Sequence, residues 1–337
     1  MANLNLSSVT ISGVGHHLPQ FSEDNVSLCR RLGANPDWIV EKTGIEQRYI
    51  ASPEDSASQY ATLAAQKAIE MAGIDIRDLG LIIACTCSGD YLFPPLSAKV
   101  QMELGAVNAQ IFDLQANCTG FVTGLTVASD RMRGDPTILN ALVIGVELLT
   151  RYIDGSDINT VIYISDGAGA AVLSFSDYQG VGIKSSAFHT DSSNYESVRM
   201  RGGGSSHPHI GRSFDPQVDY MEMNGIATWR QAITHLPRVI KKACEKSGVE
   251  LKKIDFLLLH QANLRMIEYI VSKMGFKMEQ TYTNVARIGN TGSASVAIVL
   301  SEAVNMKLIK DGDTLVLAAV GAGFNFGASV WHWKINR

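Results

Sequence analysis

The sequence predicts an α/β fold made of two similar halves. Three observations lead there. Apolar runs are too continuous for half-exposed strands, Ala-rich helical periods lie between them, and one segment aligns with another without gaps at an offset of 175 residues. A strand reads as an unbroken apolar run when both its faces are covered, as in a sheet held between helix layers.

The strands expected on that pattern are LGLIIACTC (79–87), ALVIGVELL (141–149), VIYIS (161–165), AAVLSF (170–175), FLLLH (256–260) and DTLVLAAVGAG (313–323). Helical periods occupy 56–72 and 229–246, where Pro237 is expected to kink or end the second helix. Strands alternating with helices define the α/β class. GIDIRDLGLIIACT (73–86) aligns with GVELKKIDFLLLHQ (248–261), and ALVIGVE (141–147) with LVLAAVG (315–321) after a one-residue gap. The halves are expected at 1–175 and 176–337 without a flexible linker. The offset places Cys118 opposite Ser293, each beginning a helix. The segment 199–213, RMRGGGSSHPHIGRS, is expected to be a loop free of regular structure.

The chain has 337 residues, 46% hydrophobic and 18% charged, so it can bury a large core and is too apolar for disorder. A net charge of -4 excludes a nucleic-acid binder that depends on overall positive charge. It leaves room for a local basic patch facing an acidic partner. No run reaches the ~18 apolar residues of a membrane span. MANLNLSSVTISGVG shows neither the basic nor the apolar region of a secretory leader. Five scattered cysteines fit reduced thiols in the cytoplasm, and the sequons at Asn5, Asn25 and Asn117 read as chance matches.

Four signals carry chemistry. Cys118 follows a strand-like IFDL and precedes a helical GFVTGLTVASD, which places it at a helix start. The dipole and free N–H groups there would lower its thiol pKa and make it a nucleophile. His260 ends FLLLH, at the mouth of a site. Asn290 sits between Gly289 and Gly292, able to cap the next helix or to aim its amide at a ligand. The Gly-Ala-Gly turn at 321–323 bares backbone N–H groups suited to an oxyanion. Taken singly, a buried inert cysteine, a core histidine, a helix cap and an ordinary turn account for each. No nucleotide phosphate loop is present, and Cys85-x-Cys87 and His207-x-His209 do not make a metal site.

These residues resemble the β-ketoacyl-acyl carrier protein synthase III family of the thiolase fold. The resemblance runs over nearly the whole chain, through ISGVGHHLP (11–19), PDWIVEKTGIEQRYIA (36–51), QANCTGF (115–121), SDGAGAAVL (165–173), HQANLRM (260–266), IGNTGSASV (288–296) and GAGFNFGAS (321–329). It implies stacked α-β-α-β-α layers and a decarboxylating Claisen condensation. Cys118 would take an acyl group from acyl-CoA. His260 and Asn290 would stabilise the enolate left when malonyl-acyl carrier protein loses CO2. Backbone N–H groups of Cys118 and of the 321–323 turn, where Ala322 replaces a glycine, would hold the tetrahedral oxyanion.

The resemblance further implies that Trp38 stacks on the CoA adenine and that Lys42 stands where the family often has Arg. It puts Asn263 near pantetheine. Arg230, Arg265 and Lys273 would meet phosphates or the acidic carrier protein, and Phe93 would cross a homodimer interface to shape the acyl pocket. Acyl-CoA enters as a substrate, with no cofactor and no metal expected. Departures at the Asn117-Cys118-Thr119 elbow, at Ile226 and in the 199–213 loop point to an alternative, a secondary-metabolite ketosynthase or ester- or amide-forming acyltransferase with a longer or unusual donor. A thiolase would need a second catalytic cysteine after Cys244, and none is present. A papain-like order Cys…His…Asn lacks that family's elbow, and a non-catalytic subunit would not keep the whole trio.

Overall fold

The computed structural model describes residues 8–335; the Asn5 sequon and the start of the segment searched for a leader lie outside them. In chain order the strands are β1 (Ser8–His17), β2 (Phe21–Asp24), β3 (Gln47–Ile50), β4 (Leu79–Cys85), β5 (Gln110–Leu114), β6 (Asn140–Glu147) and β7 (Gly167–Ser176). There follow β8 (Gly182–Thr190), β9 (Val198–Met200), β10 (Met221–Met223), β11 (Phe256–Leu259), β12 (Thr314–Gly321) and β13 (Asn325–His332). One sheet has the order β1-β7-β6-β4-β5 and another β11-β12-β13-β8, while β2 and β3 pair with each other, as do β9 and β10.

The continuous apolar runs are explained by which face each residue buries. In β4, Leu81, Ile83 and Cys85 face the central core, whereas Leu79, Ile82 and Ala84 face the helices Ala57–Ala72 and Leu96–Leu104. In β12, Leu315, Leu317 and Ala319 face the central core, and Val316, Ala318 and Val320 face the helices Gly225–Ser247 and Leu264–Lys273. The helices Gly120–Gly134 and Ser295–Asn305 contribute Phe121, Leu125, Val296 and Leu300 to that central core. The result is a five-layer α-β-α-β-α thiolase-type architecture. At ~25 cal/mol per Å² of apolar surface removed from water, burial of both faces of both sheets is its main driving force.

The aligned segments share local structure as well as sequence. Gly73 and Gly248 both end helices in the left-handed region, at φ 64° and 70°, where glycine carries no Cβ penalty. A 3₁₀ turn follows each, at Ile76–Asp78 and Leu251–Lys253, and then β4 or β11. The turn Asn117–Thr119 corresponds to the turn Gly292–Ala294, and a Cβ added at Gly120 would lie 3.5 Å from that of Ser293.

Three expectations need correction. VIYIS is not a sheet strand: 158–161 is helical and only Ile164 forms a bridge, to Asn290. The segment is apolar because it is buried, and burial has no period. The segment 199–213 begins inside β9, and Arg212, paired with Asp219, organises its irregular remainder. Pro237 does not end its helix, which runs Gly225–Ser247.

Proline at 237 supplies no N–H to the carbonyl of Ile233, four residues back. The Lys273 ammonium donates to that carbonyl instead, at 3.0 Å. Lys273→Met should therefore lower unfolding stability by about 1 kcal/mol, the usual worth of one hydrogen bond. A denaturant midpoint shift measures it; an unchanged midpoint would show that the contact contributes nothing.

Candidate active site

Cys118, His260 and Asn290 line one cavity of about 180 Å³, together with Asn263 and Ala322. Its remaining wall is mostly apolar and includes Tyr163, Ile164, Met221, Met223, Trp229 and Phe324. Each functional residue arrives from a different element. Cys118 lies in the turn between β5 and the helix Gly120–Gly134, and His260 directly follows β11.

The elbow is held by its neighbours. Asn117 adopts φ 49°, unusual for a residue with a Cβ, and its amide donates to the Ala322 carbonyl at 3.0 Å. Gly321 presses against the same turn: a Cβ there would sit 2.8 Å from Ala116 O and 3.2 Å from Cys118 N. Only glycine permits that approach. Ala322 has no positive φ, so a side chain is tolerated where the resemblance expects glycine.

His260 is 6% exposed, and burial lowers its pKa to about 4. It is a neutral imidazole at pH 7. Its backbone N–H donates to Ala318 O at 2.9 Å, and its Nδ1 meets Ser295 Oγ at 2.5 Å. Ser295 Oγ also accepts the Gln261 N–H, at 3.4 Å, and its hydroxyl proton is available to donate to Nδ1. With the hydroxyl donating to Nδ1, the imidazole carries its proton on Nε2 and can donate from there.

Asn290 is anchored through its backbone. Its N–H donates to Tyr163 O at 2.8 Å, and its carbonyl accepts from Ser165 N at 2.9 Å. Its side-chain Oδ1 accepts the Gly292 N–H at 3.0 Å, which leaves the NH₂ end as the donor. The cavity thus faces one cysteine and two neutral donors.

The expectation that Cys118 is a low-pKa thiol is overturned. Burial and the Glu147 carboxylate push it up to about 12, and its own backbone N–H opposes them only weakly. Cys118 keeps partial exposure through the cavity, but the protein packed around the sulfur removes most of its hydration. Glu147 is fully buried at the end of β6 and accepts from Ser88 Oγ at 2.5 Å and Cys87 N at 3.3 Å. A lone carboxylate inside ALVIGVELL was the signal for it, and the sequence reading passed it over.

Trp38, Lys42, Arg230, Arg265, Lys273 and Phe93 do not line this cavity. Trp38, at 38% exposure, and Lys42 lie on the helix Pro36–Thr43, and Arg230 is exposed near the start of Gly225–Ser247. Arg265 donates to Val40 O and Glu41 O, both at 3.0 Å, and pairs with Glu268. Its guanidinium is committed to bracing the end of Pro36–Thr43, and Lys273 to the Ile233 carbonyl. Asn263 borders the cavity, but its Oδ1 caps the helix Leu264–Lys273 and its amide donates to Lys42 O at 3.2 Å. Phe93 stands 80% exposed in a loop with Tyr91 and Leu92.

A five-layer fold with a cysteine elbow facing a histidine and an asparagine defines a thiolase-fold acyltransferase of the condensing type. The family model described as 3-oxoacyl-[acyl-carrier-protein (ACP)] synthase III matches residues 112–192, and that for its C-terminal part matches 244–333. A beta-ketoacyl-[acyl-carrier-protein] synthase III of Rhizorhabdus wittichii is 37% identical, over 95% of this chain and 97% of its own. The crystal structure of the corresponding synthase III of Aquifex aeolicus is 30% identical with a TM-score of 0.88, covering 97% of this chain and 100% of its own. That of the priming beta-ketosynthase of the R1128 polyketide pathway has a TM-score of 0.91 at 29% identity, covering 100% of this chain and 99% of its own. The chain belongs to the 3-oxoacyl-[acyl-carrier-protein] synthase III family.

Proposed function

We propose that this protein condenses an acyl-CoA with malonyl-acyl carrier protein through an acyl-Cys118 intermediate. The observation that carries the reading is the convergence of Cys118 with two neutral donors, His260 and Asn290, on one apolar cavity.

In the first half-reaction Cys118 Sγ attacks the thioester carbonyl. The new S–C bond forms, the C–S bond to CoA breaks, and the thiol proton leaves with the CoA sulfur. His260 is a poor stopping point for that proton, because its pKa is held near 4 while the thiol's is near 12. In the second, the malonyl C–C bond breaks and releases CO2, and its electron pair enters the thioester enolate. The His260 Nε2–H and the Asn290 amide donate to the enolate oxygen without proton transfer. The carbanion attacks the acyl carbonyl, and backbone N–H groups of Cys118 and of the turn at Ala322 hold the oxyanion. Collapse expels the Cys118 thiolate, which takes one proton from water. No step requires a metal or a cofactor.

The recognition roles belong to this proposal too. Lys42 and Arg230, which make no ion pair among the described residues, supply positive charge for CoA phosphates or the acidic carrier protein, and Trp38 an exposed ring for the adenine. Arg265 and Lys273 contribute by holding the helices that carry those residues. Tyr91, Leu92 and Phe93, 74–86% exposed, form the apolar contact of a homodimer. Five unpaired cysteines suit a reducing cytoplasm. The halves 1–175 and 176–337 derive from one duplicated unit. Three methionines around the cavity, Met221, Met223 and Met266, adapt to varied acyl chains.

Incubation with a panel of acyl-CoAs and peptide mass spectrometry tests the reading. One acyl group should appear on Cys118 and none on Cys118→Ala; a panel without adducts would refute it.

A further inference from the structure

A second cavity has a volume of about 150 Å³. The two share one wall residue, Ile164. Its lining differs in kind from the catalytic cavity, because it holds two guanidinium groups, Arg31 and Arg48, against one carboxylate, Glu23. The volume is far above the ~10–15 Å³ a single water needs.

Arg48 is the unusual member. It is 1% exposed, yet among the described residues no carboxylate pairs with it. Its Nη2 donates to Asn25 Oδ1 at 2.6 Å and Ile162 O at 3.3 Å, and its Nη1 to Glu23 O at 3.3 Å. Its Nε–H has no protein acceptor. Burial lowers its pKa to about 10, so it still carries its charge at neutral pH. The Glu23 and Asp24 carboxylates stabilise that charge through space but do not bond it, and a buried cation bonded only to neutral acceptors gains further from an anion that reaches it. Arg31 spans the mouth, bonded to Gly155 O and, at 3.3 Å, to Glu23. It remains 46% exposed at the side chain, so the cavity is reachable from solution.

We propose that this cavity binds a small oxyanion, carboxylate or phosphate in type, between Arg31 and Arg48. The inference stands apart from the condensation reading and shares no catalytic group with it. The site is mechanically tied to the catalytic one. Arg48 holds the Ile162 carbonyl, and the next residues, Tyr163 and Ser165, hold the backbone of Asn290. An anion that steadies Arg48 steadies the segment on which Asn290 hangs.

Inorganic phosphate tests the site in a thermal-shift titration against a bulky sulfonate buffer salt of equal ionic strength. Wild-type protein should gain about 2 °C or more at saturation. Arg31→Met, a change at an exposed position, should lose most of that gain. The parallel variant Lys42→Met, on the exposed helix Pro36–Thr43, should keep it. No gain in wild type, an undiminished gain in Arg31→Met, or a gain lost only in Lys42→Met would overturn the proposal.

Discussion

His260→Ala and Asn290→Ala should each slow release of CO2 from malonyl-acyl carrier protein by about 10²–10³, the usual loss when one donor to a developing oxyanion is removed. Both variants should still accept an acyl group on Cys118. The split follows from the geometry. Both groups are neutral donors held by other atoms, His260 Nδ1 by Ser295 and Asn290 Oδ1 by Gly292 N–H. What remains is an N–H on His260 and the NH₂ of Asn290, both at the cavity wall, suited to an enolate oxygen and of little use in removing a thiol proton. Measured ¹⁴CO2 release and adduct formation, taken on the same preparations, separate the half-reactions. Equal loss of both would mean that His260 acts as the base for Cys118, and the assignment of donors would fall.

The parts legible in the sequence were those that local pattern determines. The strand LGLIIACTC and the helix over 56–72 appear close to where their periods put them, because burial on both faces and a Ser56 cap write themselves into composition. The meeting of Cys118, His260 and Asn290 in one cavity was legible for the same reason, since each of the three follows a strand or a glycine-bounded turn. What sequence could not show is pairing across the chain. Nothing near Lys273 marks it as the partner of a carbonyl left without a donor by Pro237. Nothing near Arg265 says that its fork closes the end of Pro36–Thr43. A charged residue beside a substrate motif looks the same whether it meets a ligand or a helix end. The thiol pKa escapes local pattern on the same ground: the helix start is local, whereas burial and Glu147 come only with the fold.

Alkylation of Cys118 by iodoacetamide, followed at that residue by peptide mass spectrometry, should accelerate about tenfold per pH unit from pH 7 to 10 and show no plateau. The thiolate is the reacting form, and a thiol held at about 12 gains thiolate tenfold per unit throughout that range. A cysteine activated by a helix start alone would level off near neutrality. Glu147→Gln removes one of the two causes of the upward shift. Its alkylation at pH 8 should be several-fold faster than wild type, with the same slope. An unchanged rate would mean that desolvation alone sets the thiol. The sign matters for mechanism. A thiolate of high pKa is scarce, but each one is the stronger nucleophile, since nucleophilicity falls as thiol pKa falls. The resting cysteine is then protonated and protected from chance electrophiles. In the proposed acyl transfer its proton passes to the CoA sulfur as the thioester bond breaks.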